Sequence, residues 1–461
     1  MFFKRLKASG LGQNSYILGC GEGLAVVIDP RRDIEEYLEL ARENDLSIAY
    51  ILETHRQEDF EFGSRTLAAM TGARIVTGTH ELFGHSDIKL EDEKELKVGT
   101  TRIVALETPG HTPESMTYAV YPQDTKDKCW GVFTGDTLFV SETGRTDLTD
   151  PEKTEENAGI LYDSIHKKIA PLGDQTLLFP AHGSGSACGG NISKRDDSTL
   201  GIEKGTNLVF KVSRMEFVEH KLAEKLPRPP YFSHMEEVNL TGGRPLGLPD
   251  FRVLQPKEFQ KRMKDGIVID CRSPDAFAGA HIPLSYNIWL KGLAAFGGWV
   301  ADESTAIFLV VDAPDHIHEA VTSLSRIGID RVEGVLGGSV AAWREQGLPV
   351  YGLGTISAQD CANWMQDRRV NVLDVRDDNE WTKKHIPGAL HTYVGHVEES
   401  IPQLPKDSEL VVHCSVGHRA GLAASMLERS GFTNVYNMLG GLCAWEALGL
   451  PLEKPDKADR G

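Results

Sequence analysis

Two groups of side chains in this sequence have the types and the spacing for chemistry. In the first, the apolar run 48–52 feeds ETHRQEDFEFG, which carries His55 and Asp59; TPGHTPES carries His111 and FTGDTLF carries Asp136. Each is an apolar run ending in a turn with a polar residue just beyond it, and three such turns can converge on one point. Two imidazoles and one carboxylate leave coordination positions open, which suits a non-haem Fe(II) oxygenase and equally a mononuclear zinc hydrolase. Ligand identity alone does not choose between them. A loop reading His-x-His-x-Asp-His would supply two metal ions, whereas Gln57 and Phe60 stand where the second and last histidines would be. The loop is therefore either a metal-free relic or built for a different, single ion. In the second group, ELVVH enters CSVGHRA and then GLAASMLERSG, with small and apolar residues at helical spacing. Cys414 thus opens a six-residue loop, 414–419, that feeds a helix N-terminus. Backbone N–H groups turned toward the sulfur, the helix dipole, Gly417 and Arg419 would together stabilise a thiolate or a bound persulfide.

The elements that must position these groups surround them. Across residues 1–245 the short runs 15–18, 25–28, 48–52, 102–107, 129–134 and 176–179 are separated by helical patterns and Gly/Pro turns, the alternation of an α/β domain. The proline-rich passage KLPRPPYFSHMEEVNLTGGRPLGLPD reads as a linker to the next unit. Beyond it the chain repeats itself. VIDCRSPDAFAGAHIPLS (268–285) and VLDVRDDNEWTKKHIPGA (372–389) each place an Asp two residues before an Arg (Asp270, Arg272; Asp374, Arg376) and eleven before the His of His-Ile-Pro (His281; His385). Both copies end in Leu-Gly-Gly and a Trp, Trp343 and Trp445. Aligned back from Leu-Gly-Gly, Cys414 falls opposite Val311, Gly417 opposite Pro314 and Arg419 opposite His316, so the middle copy lacks the nucleophile and its cradle. The expected organisation is one α/β domain over 1–245 followed by two related α/β domains over 251–352 and 353–454.

At 461 residues and 40% hydrophobic, the chain is long enough for several cores. Its 49 Lys and Arg against 67 Asp and Glu give a net charge of -18, a field that repels nucleic acid and anionic membrane surfaces. Neither is an expected partner, and an anionic substrate must be gathered by local cations. There is no signal-type segment and no apolar stretch long enough to span a bilayer. Seven scattered cysteines without a CxxC pair point to free thiols in a reducing compartment, with the cytoplasm as the expectation. The oligomeric state stays open, a homo-oligomer among the options.

Residues 1–245 resemble the metallo-β-lactamase fold, from GLGQNSYIL through THRQED, PGHTPES, GDTLF, GRTDL and PAHG, which implies an αββα sandwich. In dinuclear hydrolases of that fold, such as glyoxalase II, every histidine of the His-x-His-x-Asp-His loop ligates metal, together with positions matching His111, Asp136 and His182. The similar persulfide dioxygenase branch uses one iron, on positions matching His55, His111 and Asp136, all present here. The resemblance therefore implies one Fe(II) per chain. Asp59 is either a helix cap or a hydrogen-bonding neighbour of the ligands; His182 is either a group beside the substrate or a turn histidine. Arg145 and Asp147 are expected to order the pocket wall, with Arg145 facing an anionic thiol carrier. Cys188, in a Gly/Ser-rich loop that reads as flexible, is a candidate for handling sulfur, whereas Cys20, Cys129, Cys271, Cys361 and Cys443 are expected to pack.

Residues 353 to about 452 resemble the rhodanese family through DVRDDNEW, HIPGA, CSVGHRA and LGGLCAW. A similar loop one residue longer belongs to phosphatases, whose oxyanion is larger. The six-residue loop favours sulfane-sulfur transfer by Cys414, with Gly417, His418 and Arg419 at the substrate. Residues 251–352 are then an inactive rhodanese-like copy. The whole chain resembles a persulfide dioxygenase fused to a pseudo-rhodanese and a rhodanese. That implies oxidation of glutathione persulfide, or another small thiol persulfide, by O2 to sulfite and thiol, with Cys414 passing sulfane sulfur to sulfite or taking it from thiosulfate. The rivals are a mononuclear zinc thioester hydrolase of glyoxalase II type and a non-enzymatic sulfur-sensing scaffold.

Overall fold

The computed structural model describes residues 2–454 apart from 126, 246–248, 368–369 and 407. The chain forms two compact units, one of Met1–Glu224, Pro230–Leu248 and Ser325–Gly328, the other of Lys225–Pro229, Pro249–Leu324 and Ile329–Gly461. Among the described residues no helix is long and apolar enough to cross a membrane.

The first unit is built on two six-stranded sheets. One runs in chain order through Phe3–Ala8, Gln13–Gly21, Leu24–Ile28, Ser47–Leu52, Arg74–Gly78 and Ile88–Leu90. The other orders Ser198–Thr199, Leu177–Pro180, Gly131–Gly135, Met116–Pro122, Thr101–Glu107 and Glu95–Val98. Because successive side chains on a strand face opposite ways, each strand feeds two cores. Val26 and Ile28 enter the layer between the sheets with Tyr16, Leu18, Ile103, Tyr118 and Phe133. Ala25 and Val27, their neighbours in sequence, turn the other way onto Ile34, Tyr37 and Leu67, the side of the helices Glu35–Glu43 and Ser64–Thr71. The second sheet does the same, with Leu106, Ala119 and Val132 packed on Leu161 and Phe217 of the helices Thr154–Ser164 and Arg214–Leu222. The result is helix, sheet, sheet, helix. Strands covered on both faces read as continuous apolar runs, and each buried Val or Ile contributes about 1.5–3 kcal/mol relative to exposure.

The passage expected to be a linker is largely part of this first unit. Phe232–Asn239 is a helix whose Phe232 and Met235 are buried, and the Asn239 side chain donates to Gln57 C=O and Phe60 C=O, both at 2.7 Å, and accepts from Phe62 N–H at 2.9 Å. Its proline content concealed a helix that packing, not local composition, holds in place.

The second unit contains the two repeat copies as parallel five-stranded sheets with one strand order: Val253–Leu254, Val332–Leu336, Ile307–Val310, Ile267–Asp270 and Tyr286–Asn287 in the first, and Gly354–Ile356, Val435–Met438, Glu409–His413, Val370–Asp374 and Leu390–His391 in the second. The shared Asp-x-Arg motif is structural in both. Arg272 pairs with Asp270 and donates to Ala280 C=O at 2.7 Å; Arg376 pairs with Asp374 and donates to Lys384 C=O at 2.8 Å. Each arginine thereby ties a strand end to the residue just before His-Ile-Pro, so the middle copy keeps the scaffold while Val311 occupies the position that Cys414 holds in the last copy.

Candidate functional site

The loop after Ser47–Leu52 is supported from behind by Asp29, whose carboxylate accepts from the N–H and the hydroxyl of Thr54, each at 2.8 Å. With its proton committed to Asp29, the Thr54 hydroxyl can only accept from His55 Nδ1–H, 2.9 Å away. His111 Nδ1 lies 2.8 Å from the carbonyl of Arg145, an acceptor only, so it too carries the proton. Both rings therefore turn Nε2 into the cluster, bare on His55 and available on His111 once its proton is displaced, and neither Nε2 makes a hydrogen bond of good geometry. Asp136, just past the end of Gly131–Gly135, places Oδ2 3.8 Å from His55 Nε2 and 3.5 Å from His111 Nε2. Glu58, which sequence reasoning did not single out, also enters: Oε1 lies 3.2 Å from His111 Nε2 and Oε2 3.9 Å from His55 Nε2. One donor atom from each of these four residues lies within 4.8 Å of every other. Unpaired lone pairs and carboxylates so deeply buried are costly without a cation, and imidazole nitrogen with carboxylate oxygen is a donor set that fits Fe(II) or Zn(II).

The electrostatics agree with a cation site. Burial pulls His55 down to about 4, which keeps it neutral. Burial also opposes a charge on His111, but the Glu58 and Asp136 carboxylates outweigh it and carry that imidazole up to about 9. A metal ion binding there displaces a proton. His182 sits behind Asp136, with Nδ1 2.7 Å from Asp136 Oδ1 and Nε2 2.8 Å from Asp59 Oδ2. Despite burial, those carboxylates hold it well above the ordinary histidine range, and both of its nitrogens are engaged by carboxylate oxygens. Asp59 is its partner and not a helix cap; Gly63 stands at the start of Ser64–Thr71. Asp59, His182 and Cys188 also bring donor atoms within 4.8 Å of one another, but both His182 nitrogens are spent on carboxylates and the thiol is spent on Glu58.

The remaining expected residues are placed as follows. The Gln57 amide lies 3.3 Å from His55 Nδ1, where its oxygen, once turned to the ring, accepts from Nδ1–H, and Phe60, 1% exposed, packs edge-on to Phe62 with ring centroids 5.6 Å apart. Arg145 is buried in a two-pronged pair with Asp147, at 2.7 and 2.8 Å, which meets its charge within the chain, while its carbonyl orients His111. Cys188 is 0% exposed and pinned, contrary to the flexible-loop expectation. Its N–H donates to Ser186 Oγ at 3.0 Å, its C=O accepts from Arg145 N–H at 3.0 Å, and its thiol donates to Glu58 Oε1 at 3.3 Å. Burial pushes that thiol well above its usual range, so it rests as a thiol. Cys443 is exposed on the helix Gly441–Ala447, which corrects the expectation that it packs.

In the last repeat copy, strand Glu409–His413 delivers Cys414 and the helix His418–Arg429 begins just beyond. Gly417, at φ 108°, turns its N–H onto Cys414 Sγ at 3.1 Å. The Leu-Gly-Gly segment clamps the loop: Gly440 N–H donates to Val416 C=O at 3.2 Å, Leu442 N–H to Cys414 C=O at 2.8 Å and Cys443 N–H to Ser415 C=O at 3.0 Å. A Cβ on Gly441 would lie 2.3 Å from the Cys414 carbonyl oxygen, so only glycine allows that approach. Arg419 is held by Glu380 through two contacts at 2.5 and 2.9 Å and by Ser415 Oγ at 3.0 Å, which offsets the charge expected to meet an anion. His418 lies flat on Trp289 of the middle copy, with ring centroids 4.8 Å apart at 15°.

Comparison with known proteins adds relatives to this geometry. The family described as Rhodanese-like domain matches residues 255–346 and 357–448. The hydroxyacylglutathione hydrolase of Dictyostelium discoideum is 28% identical over 160 residues, 34% of this chain and 57% of that protein, so the chain spans little more than half of that relative. The persulfide dioxygenase ETHE1 of Homo sapiens is 29% identical over 233 residues, 50% of this chain and 84% of that protein. The crystal structure of a metallo-β-lactamase from Staphylococcus aureus is 29% identical with a TM-score of 0.66, covering 73% of this chain and 98% of that one. The architecture is therefore a metallo-β-lactamase-like αββα sandwich with a buried His/Glu/Asp metal-binding cluster, followed by two rhodanese-like domains.

Proposed function

For a chain that joins these folds, we propose a sulfur-metabolising enzyme that oxidises a small thiol persulfide, such as glutathione persulfide, with O2, and that moves sulfane sulfur through Cys414. The observation that carries this reading is the donor count at the buried cluster. His55, His111 and Asp136 supply a set for one ion, while the positions a second ion would need are filled by Gln57, Phe60 and a doubly engaged His182. Similarity to a persulfide dioxygenase on one side and to rhodanese-like domains on the other supports it, because both deal in the same sulfur.

Fe(II) held by His55, His111 and Asp136 would supply activation of O2 for attack on sulfur. The chain's own residues do the rest. Thr54 and the Arg145 carbonyl fix the two imidazoles as Nδ1–H tautomers, Asp136 is oriented by His182, and Phe60 and Phe139 are buried apolar walls of the surrounding loops. The reaction balances as persulfide, O2 and water giving thiol, sulfite and two protons, with the sulfane sulfur as the electron donor. At the second site the Cys414 thiolate attacks a sulfane sulfur and becomes a persulfide as the donor leaves; sulfite then attacks the outer sulfur, releasing thiosulfate and restoring the thiolate, and the reverse sequence uses thiosulfate as donor. Splitting transfer into two displacements is the gain of a covalent intermediate.

The test is O2 uptake with glutathione persulfide, by the anaerobically iron-loaded full chain and by His111→Ala. Uptake confined to the unaltered protein is expected, and equal uptake by both would sink the assignment. Thiosulfate formation in Cys414→Ser tests the second site, where an unchanged yield removes the transfer step. The same donor set suits zinc, and the chain is also similar to a hydroxyacylglutathione hydrolase; turnover of S-lactoylglutathione by zinc-loaded protein would favour that second reading.

A further inference from the structure

We infer that Glu58 is a fourth protein ligand of the metal centre, making it a two-histidine, two-carboxylate site. The inference rests on the metal-centre reading but not on the oxidation chemistry proposed above. In a coordination sphere with bonds of about 2.1 Å, adjacent donors lie about 3.0–3.4 Å apart and opposite ones about 4.2 Å. The contacts Glu58 makes to the histidine donors are 3.2 and 3.9 Å, and those Asp136 makes are 3.5 and 3.8 Å. Asp136 reaches both nitrogens with Oδ2 alone, whereas Glu58 sets Oε1 toward His111 and Oε2 toward His55, so both carboxylates face the same two nitrogens. Glu58 Oε2 is buried without any hydrogen-bond partner, as are both Nε2 atoms.

Among the described residues the cationic group that faces Glu58 directly is His111, whose Nε2 lies 3.2 Å from Oε1 and whose proton a bound metal ion displaces, so the ion takes over that pairing. Arg145, the nearby buried arginine, spends its guanidinium on Asp147 and on Ala187 C=O. The Cys188 thiol donates to Oε1 and brings no charge. Two carboxylates also balance a divalent ion, which a single carboxylate leaves half compensated among buried side chains. Cys188 then stands one hydrogen bond outside the coordination sphere, attached to a ligand.

The experiment uses the full chain loaded anaerobically with Co(II) or Fe(II), in the unaltered protein, Glu58→Gln and Glu58→His. Loss of a neighbour that only orients a ligand costs about 10–100-fold in affinity, so Glu58→Gln is expected to lose more than about a hundredfold in chelator competition and to change the Co(II) d–d spectrum. Glu58→His is expected to raise the imidazole count in X-ray absorption from two to three. A smaller loss with an unaltered Co(II) spectrum, or an imidazole count that stays at two, overturns the proposal. Should either variant misfold by circular dichroism, the unaltered chain decides. Loaded with Mn(II), its EPR broadening by 17O-water is expected to count two bound waters, and three would overturn it. Failure of persulfide oxidation leaves these readouts intact, whereas no metal binding at all overturns both readings.

Discussion

Replacing Asn239 by alanine tests how the metal loop is held. Its side chain, 1% exposed, makes two donations at 2.7 Å, to Gln57 and Phe60 carbonyls, and one acceptance at 2.9 Å from Phe62 N–H. It therefore satisfies three backbone groups of the segment that carries Glu58 and Asp59. Asn239→Ala leaves all three buried without partners, at about 1–3 kcal/mol each. Relaxation and water entry recover part of that, so a net loss of about 3–5 kcal/mol is expected, a large share of the 5–15 kcal/mol typical of whole domains. Because two units unfold in this chain, a single global midpoint is the wrong quantity. Native-state hydrogen exchange across residues 55–62 reads the local loss, and chelator competition reads its consequence. Protection in that segment is expected to fall by two decades or more and metal affinity by at least tenfold, with sulfur transfer through Cys414 unaltered. A local loss under about 1 kcal/mol with unchanged metal affinity would refute the idea that this helix holds the loop.

Three further outcomes follow from particular contacts. Thr54→Val keeps the shape but removes the acceptor for His55 Nδ1–H and the donor to Asp29; metal affinity should drop about 10–100-fold, and an unchanged value would show that the tautomer is set elsewhere. Glu380→Gln removes the charge that offsets Arg419 and should lower the KM for thiosulfate severalfold, so a KM that rises or stays level counts against that role. Burial and the neighbouring Glu380 lift Asp377 from 3.8 to about 6. The folded state therefore holds the extra proton, and its stabilisation is full below about pH 4 and lost as the pH rises through 6. Asp377→Asn keeps the capping acceptor and should stabilise the second unit by roughly 1–2 kcal/mol above pH 7 and not below pH 4; equal effects at both ends would contradict the linkage.

What the sequence made legible is what repeats or alternates. The apolar runs became strands because at least one face of each is buried, both faces in Leu24–Ile28 and Gly131–Gly135, and the two Asp-x-Arg copies became matching sheets because the same pair closes the same turn in each. Ligand candidates at strand ends were visible because a polar residue after an apolar run has little other use. What stayed hidden depends on distant chain. Glu58 occupies an unconstrained position of its motif, and only the turn held by Asn239, 179–182 residues away in sequence, brings it to the two histidines. The glycines and serines around Cys188 suggest freedom, yet the Arg145 N–H and Ser186 Oγ fix that cysteine. The prolines after Lys225 suggest a linker, yet Phe232 and Met235 find a core to enter. Arg145 and Arg419 looked like anion receptors, and each has a carboxylate of its own.

The central claim, a single redox-active ion in the first unit, is tested most directly by the metal content of protein purified without chelator and without oxygen, measured together with its O2 consumption on addition of glutathione persulfide. About one iron per chain, little zinc, and O2 uptake that stops when the iron is removed is the result expected. Zinc in place of iron with thioester hydrolysis, two metal ions per chain, or a metal-free protein would contradict it.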